Sequence, residues 1–199
     1  VVTSDQGCTD TVQHQVVIHP LPVAGFTGNA VCQNSSLQIT DTSSVISGNI
    51  ISWNWQFGNG SSSSLQNPIL TFNTAGSVLA QLIVVTDQGC SDTVVSNINV
   101  YSLPVPSFTA NNVCLGTDVA FYNQSSVNGG ATFSCYWNFG DGFNDSTVNT
   151  THNYLQSGNY NVTLNVITNT GCSASISQPV SIYEPPLARF TADNVCKNQ

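Results

Sequence analysis

Trp53-Asn54-Trp55-Gln56-Phe57-Gly58-Asn59-Gly60 has a copy, Cys135-Tyr136-Trp137-Asn138-Phe139-Gly140-Asp141-Gly142. Trp55 and Trp137 are 137 − 55 = 82 residues apart, and so are Phe57 and Phe139. In each copy a leading residue (Trp53 or Cys135), the Trp and the Phe fall at i, i+2 and i+4. That is the alternation of a strand with one buried face. The Gly-Asn-Gly or Gly-Asp-Gly that follows supplies a turn. Each copy therefore reads as the central strand of a β-domain. Its aromatic core anchors are Trp55 and Phe57 in the first and Trp137 and Phe139 in the second, and it runs into a hairpin.

The 82-residue interval holds along the whole chain. Gly7-Cys8-Thr9-Asp10-Thr11 recurs as Gly89-Cys90-Ser91-Asp92-Thr93 and, more weakly, as Gly171-Cys172-Ser173. Phe26-Thr27 recurs as Phe108-Thr109 and Phe190-Thr191, and Val31-Cys32 as Val113-Cys114 and Val195-Cys196. Self-similarity at a fixed period marks an array of one structural unit. The pattern predicts four pieces: residues 1–21 as the last strand of a preceding repeat, 22–103 and 104–185 as two full repeats, and 186–199 as the start of a following one.

Within one period, Pro22 to Thr27 reads as a first strand and Asn29 to Ser35 as a polar turn carrying Cys32. Leu37 to Thr40 reads as a second strand. The Trp strand runs from Ile51 to Phe57, and Gly58 to Ser64 reads as a solvated serine loop. Ile69 to Phe72 is a short strand. Val78, Ala80, Leu82 and Val84 alternate, Asp87 to Cys90 turns, and Val94 to Tyr101 closes the unit. Leu103 to Pro106 forms a short, stiff joint. Seven short strands with frequent turns predict an all-β chain of tandem immunoglobulin-like seven-strand β-sandwiches.

Composition narrows the function. Only 6% of residues are charged, against roughly 25% in an average domain. Ten acidic residues face two basic ones, Arg189 and Lys197, for a net charge of −8. Nucleic acid, which demands Lys and Arg, is excluded as a partner, as is docking on anionic lipid. No apolar run reaches the roughly 18 residues of a membrane span, so this segment is expected not to insert. Seven cysteines in a Thr- and Asn-rich β chain suggest an oxidising, extracellular setting.

The run Tyr136-Trp137-Asn138-Phe139-Gly140-Asp141-Gly142, then Asn149-x-x-His152-x-Tyr154, then Gly158-x-Tyr160-x-Val162-x-Leu164, resembles the PKD domain family. The likeness covers both copies, about 24–101 and 106–183. The first copy departs from the pattern: Asn59 stands for Asp, Leu70 for His, Phe72 for Tyr and Val78 for Tyr. Those changes keep the core apolar and leave the motif polar groups a structural role. Val-Cys after the first strand and Gly-Cys-(Ser/Thr)-Asp-Thr before the last are similar to the long PKD arrays of Bacteroidota cell-surface proteins, gliding-motility adhesins among them. That resemblance implies type IX export, a filament attached to the outer membrane, and a part in surface adhesion or gliding motility.

Candidate sites are few. His14, His19 and His152 lie in different elements, and no Cys/His cluster suggests zinc. No Gly-x-Ser-x-Gly elbow is present, so the segment is expected not to be an enzyme. Asp141, Asn144 and Asp145 could offer oxygen ligands to Ca²⁺, although backbone demands also explain the turn. No other cofactor is suggested. Asp10-Thr11-Val12, Asp92-Thr93-Val94 and Asp145-Ser146-Thr147 look like O-glycosylation acceptors of that phylum, at Thr11, Thr93 and Ser146.

The cysteines carry the sharpest expectation. In a sandwich of this kind the turn after the first strand, with Cys32, lies at one pole and the last hairpin, with Cys90, at the other. Strands of five or six residues put the poles roughly 17–20 Å apart, and a disulfide needs Cα atoms within about 7 Å. In a tandem array one pole faces the next domain, so an interdomain Cys32–Cys172 bond is expected. Cys8 and Cys90 would then pair with earlier repeats and Cys114 and Cys196 with later ones. The alternative is Cys32–Cys90 with Cys114–Cys172. Cys135 takes the place of Trp53 on an inward face and reads as a buried thiol.

The expected role is a structural stalk segment that supplies length and stiffness. Its partners are the neighbouring repeats of the same chain, with polysaccharide or another surface met through other parts of the molecule. The alternative is a carbohydrate-binding or spacer module attached to a secreted hydrolase.

Overall fold

A computed structural model describes residues 1–191. The chain divides into two compact units, Val1–Val100 and Tyr101–Gln199. The first opens on a small hairpin of β1 (Val2–Thr3) and β2 (Thr9–Asp10). Then follow β3 (Phe26–Thr27), β4 (Ala30–Cys32), β5 (Ser36–Gln38), β6 (Thr40–Asp41), β7 (Ile50–Phe57), β8 (Ser62–Ser63), β9 (Ile69–Thr71), β10 (Gly76–Thr86) and β11 (Ser91–Tyr101). One sheet has the order β4-β11-β10-β7-β8, and the pairs β3-β6 and β5-β9 make up the other side.

The second unit contains β12 (Phe108–Ala110), β13 (Val113–Cys114), β14 (Val119–Asn123), a 3-10 turn at Asn128–Gly130, β15 (Phe133–Asn138), β16 (Asn144–Asp145), β17 (Thr150–His152), β18 (Gly158–Thr168) and β19 (Ser173–Tyr183). Its sheets have the orders β13-β19-β18-β15-β16 and β12-β14-β17. β13 joins β19 in parallel, with Cys114 opposite Tyr183. Both units are all-β sandwiches of immunoglobulin type.

Alternation explains each core. Along β10, Ala80, Leu82 and Val84 point inward and are fully buried. Leu82 sits opposite Trp55 on β7. In the second unit Val162, Leu164 and Val166 do the same on β18, and Leu164 sits opposite Trp137. Ile39 and Phe72 close the first core from the other side, and Phe108, Val119, Phe121 and Tyr154 close the second.

Four local expectations are corrected. Residues 37–40 do not form one strand: β5 pairs with β9 and β6 with β3, and between them Ile39 donates its N–H to Pro68 O (3.0 Å), a residue with no N–H to return to the ladder. The equivalent β14 is continuous. The turn at 29–35 contains β4, which lies beside β11, and Asn99 N–H bonds Asn29 O at 2.7 Å. Within the serine loop, Ser62–Ser63 pairs with Gln56 and Trp55 as an edge strand. The longest strands, β10, β11, β18 and β19, run to 11 residues each, twice the length assumed from the sequence.

One turn occurs three times. Ser4, Thr86 and Thr168 each donate their N–H to the carbonyl of Cys8, Cys90 and Cys172, at 2.8 Å in all three. Each cysteine N–H returns a bond to the hydroxyl of the same Ser or Thr, at 3.2, 3.1 and 3.0 Å. The glycine before the cysteine has φ of 78°, 76° and 85°, a left-handed value that an L side chain resists. The β1–β2 hairpin thus has the same turn as the β10–β11 and β18–β19 hairpins.

Candidate functional site

The aromatic anchors are structural. Trp55 and Trp137 are fully buried, and Phe57 and Phe139 nearly so. The two indole N–H groups donate to Leu65 O (2.8 Å) and Thr147 O (2.9 Å), one position in each repeat. Phe26 meets Trp55 edge-on at 5.2 Å, and Phe108 meets Trp137 edge-on at 5.1 Å. These rings lie in the core with their polar atoms satisfied.

In the second repeat the motif residues converge. His152 Nε2 lies 2.7 Å from Asp141 Oδ2. Its ring stacks on Phe139 at 4.1 Å, nearly parallel, and meets the edge of Tyr154 at 4.6 Å. The Tyr154 hydroxyl donates to Phe139 O at 3.0 Å. Burial first, and then the nearby Asp141 charge, push that hydroxyl's pKa well above the ordinary tyrosine range. Tyr160 stacks on Tyr154 and donates to Gln156 O. A groove of roughly 340 Å³ beside them is lined by Asp141, Phe143, Leu155, Gln156 and Tyr160. The cluster locks the Gly-Asp-Gly turn to β17 and β18.

The residues considered as calcium ligands are engaged by the protein. Asp145 accepts the Thr150 hydroxyl, the Thr147 hydroxyl (2.8 Å) and the N–H groups of Thr147 (3.1 Å) and Ser146 (2.6 Å). Those bonds, that of Thr150 above all, lower its pKa to about 2. Asp141 Oδ1 accepts Phe143 N–H, and its other oxygen meets His152. Asn144 lies in β16, paired with Asn138. Among the described residues, no group of three or more His, Cys, Asp or Glu is placed to hold a metal ion. His14 and His19 are exposed and lie outside any strand.

Sequence reasoning missed a second polar pair. Trp53 Nε1 donates to Asp41 Oδ2 at 2.6 Å, and Asp41 also accepts Ser43 N–H and the Gln66 amide. Burial raises the Asp41 pKa, but these hydrogen bonds outweigh it and hold the carboxyl below its ordinary value. The signal was a double exchange at one interval: Asp41 and Trp53 become Asn123 and Cys135 in the copy.

Cysteine placement separates two kinds of half-site. Cys32 and Cys114 lie in the short strands beside β11 and β19, while Cys8, Cys90 and Cys172 lie in the thrice-repeated turn. Cys32 and Cys172 are both disulfide-bonded. Cys8, Cys90, Cys114 and Cys135 are free, which removes the Cys32–Cys90 and Cys114–Cys172 pairings. Geometry gives the reason. Cys114 lies beside Tyr183, whereas Cys172 precedes Ser173 at the other end of β19. Eleven residues at about 3.4 Å each separate them by roughly 35 Å, far beyond the reach of a disulfide. Cys135 is buried, its Sγ donates to Thr147 O at 3.3 Å, and burial pushes its pKa up. Cys196 lies outside the described residues. Thr11, Thr93 and Ser146 are all exposed.

Among the described residues, no helix is long and apolar enough to cross a membrane. The PKD domain family model matches residues 19–100 and 101–182. The chain belongs to the PKD domain family. It is 30% identical over 162 residues to the pre-pro-metalloprotease PrtV of Vibrio cholerae, an alignment covering 81% of this chain and 17% of that protein. The chain therefore spans about a sixth of the length of that relative. Crystal structures of single PKD domains are similar to one repeat. The PKD1 domain of Vibrio cholerae PrtV is 35% identical, covers 42% of this chain and 98% of its own, and has a TM-score of 0.35. The PKD1 domain of Vibrio anguillarum Epp is 29% identical, covers 42% and 96%, and has a TM-score of 0.39.

Proposed function

We propose that this chain is a load-bearing segment of an extracellular stalk. PKD sandwiches at 22–103 and 104–185 repeat along a cell-surface adhesin of the kind represented by the gliding-motility adhesin SprB. Such a protein would be exported by the type IX system and held at the outer membrane. The observation that carries the reading is the hairpin turn built three times at one interval, with Cys8, Cys90 and Cys172 in identical hydrogen bonds. A unit repeated with its turn chemistry intact suits an array in which each repeat contacts its neighbours. The segment itself does no chemistry. Thr11, Thr93 and Ser146 are proposed glycan acceptors on its surface, and intact-mass measurement of the native protein tests them.

Joined to this is the pairing Cys32–Cys172. Parity supports it. Disulfides within one chain consume cysteines in twos, and Cys32 and Cys172 are bonded while Cys8, Cys90, Cys114 and Cys135 are free. Pulling on single molecules tests the reading. When this chain is pulled alone with the bond intact, the 172 − 32 = 140 residues between the cysteines are shielded from the load. Reduction should then release roughly 480 Å of additional extended chain. Equal extension with and without reductant contradicts the stapled stalk.

A second reading, a spacer beside a hydrolase, is favoured by the identity with a metalloprotease. A sugar-binding version wants aligned exposed rings. Exposed Tyr122 lies on β14 in one sheet, and exposed Tyr136 and Tyr183 lie on β15 and β19 of the other, with β18 between them. Retention on a polysaccharide resin, lost in Tyr136→Ala, would favour that version.

A further inference from the structure

The span of the proposed staple exceeds the period of the array, and this has a mechanical consequence. From Cys32 to Cys172 is 140 residues; the period is 82. The two half-sites recur in each unit. Cys114 holds in the second repeat the position that Cys32 holds in the first, in a short strand beside the last long strand. Cys8 and Cys90 hold the position of Cys172, with the same turn hydrogen bonds.

We infer that staples of this kind overlap along the array, so that every peptide bond of the stalk is spanned by at least one disulfide loop and no single backbone cut can sever it. The inference rests on the Cys32–Cys172 pairing proposed above. The joint at Leu103 to Pro106 lies inside the 32–172 loop. So does Cys114, from which the next staple starts before the first has ended. Cys90, where an earlier staple would end, lies inside the same loop. Load reaching Cys172 continues through Gly171-Cys172-Ser173 and β19 toward Cys196, the next half-site of the Cys32 kind. A parallel route runs from Cys90 along β11 to Cys114. The filament thus carries two interlaced covalent routes besides its main chain. This is a device for surviving extracellular proteases, and low charge removes many of the basic residues that trypsin-like enzymes need.

The test lengthens the full chain by one further copy of residues 101–182, giving Cys114 a partner of the Cys172 kind. A protease recognition sequence is placed in the exposed Asn128–Gly130 turn or in the same turn of the added copy. Either cut should leave one band under non-reducing electrophoresis and two after reduction. Cys114→Ser, at an exposed position, should release the fragment after the cut in the added copy but not after the cut at Asn128–Gly130. Fragments that part without reductant after the added-copy cut, while the Cys32–Cys172 peptide is recovered by mass spectrometry, overturn the overlap alone. Loss of that peptide overturns the pairing beneath it.

Discussion

Where the first repeat has Asp41 and Trp53, the second has Asn123 and Cys135. Two polar contacts around them are kept. Asp41 N–H and Asn123 N–H both donate to an asparagine, Asn67 or Asn149, at 2.8 and 2.9 Å. Asp41 Oδ1 and Asn123 Oδ1 both accept from a serine N–H, Ser43 or Ser125. The remaining atom differs. Asp41 Oδ2 takes the Trp53 indole, whereas the buried Asn123 Nδ2 faces only the Cys135 thiol, a much weaker acceptor. The Gly-x-Gly turn repeats the lesson. Asn59 Oδ1 and Asp141 Oδ1 each accept the N–H two residues on, and only Asp141 has a second oxygen to offer His152. One side-chain oxygen serves the fold in both repeats, and its twin takes a different partner in each. That is how a structural array tolerates drift: what is shared is the backbone's demand, and what differs is replaceable.

The largest effect should be common to both repeats. Trp55→Ala and Trp137→Ala should each destabilise their own repeat by about 3–5 kcal/mol, read by hydrogen exchange resolved along the chain. A much smaller loss in one repeat would break the equivalence of the two cores. Next comes Gly140→Ala, expected to cost about 1–3 kcal/mol. Gly140 has φ 83°, and an added Cβ would lie 2.9 Å from Asn161 O. At the equivalent Gly58 φ is not positive and the closest approach is 3.3 Å to Leu79 N, so Gly58→Ala should cost less. Equal costs would mean that the two turns are alike after all.

Tyr154→Phe should cost about 1 kcal/mol through loss of the bond to Phe139 O. The natural Phe72 shows that the ring alone fits this position. The smallest effect is electrostatic. The pKa of Asp145 is about 2 in the fold against an ordinary 3.8. Its contribution is therefore present above about pH 4 and is lost as pH falls toward 2. Ser63 holds its place in the first repeat, so Asp145→Asn should flatten the acid response of the second repeat only. Urea titrations between pH 5 and 2, read repeat by repeat, check this.

Much of the fold was legible. Alternation in β7, β10 and β15 placed Trp55, Leu82 and Trp137 in the core, the family motif did the same for Leu164, and the 82-residue interval announced the repeat. The misreadings were local. Ile39 keeps its alternation while facing Pro68, which cannot complete the ladder, and the hydropathy of residues 37–40 carries no trace of that. Short edge strands such as Ser62–Ser63 are polar and look like loop. Of the polar clusters, the Asp141–His152 pair spans residues 11 apart in different elements, so only the folded chain brings it together.

The most direct measurement is disulfide mapping by mass spectrometry, under non-reducing conditions, on protein from its native source. A peptide joining Cys32 to Cys172 is the predicted result, and it would establish the staple from which stiffness and cut tolerance follow. A peptide joining Cys32 to Cys90, or Cys32 recovered as a thiol, would contradict it and leave two beads on a short linker.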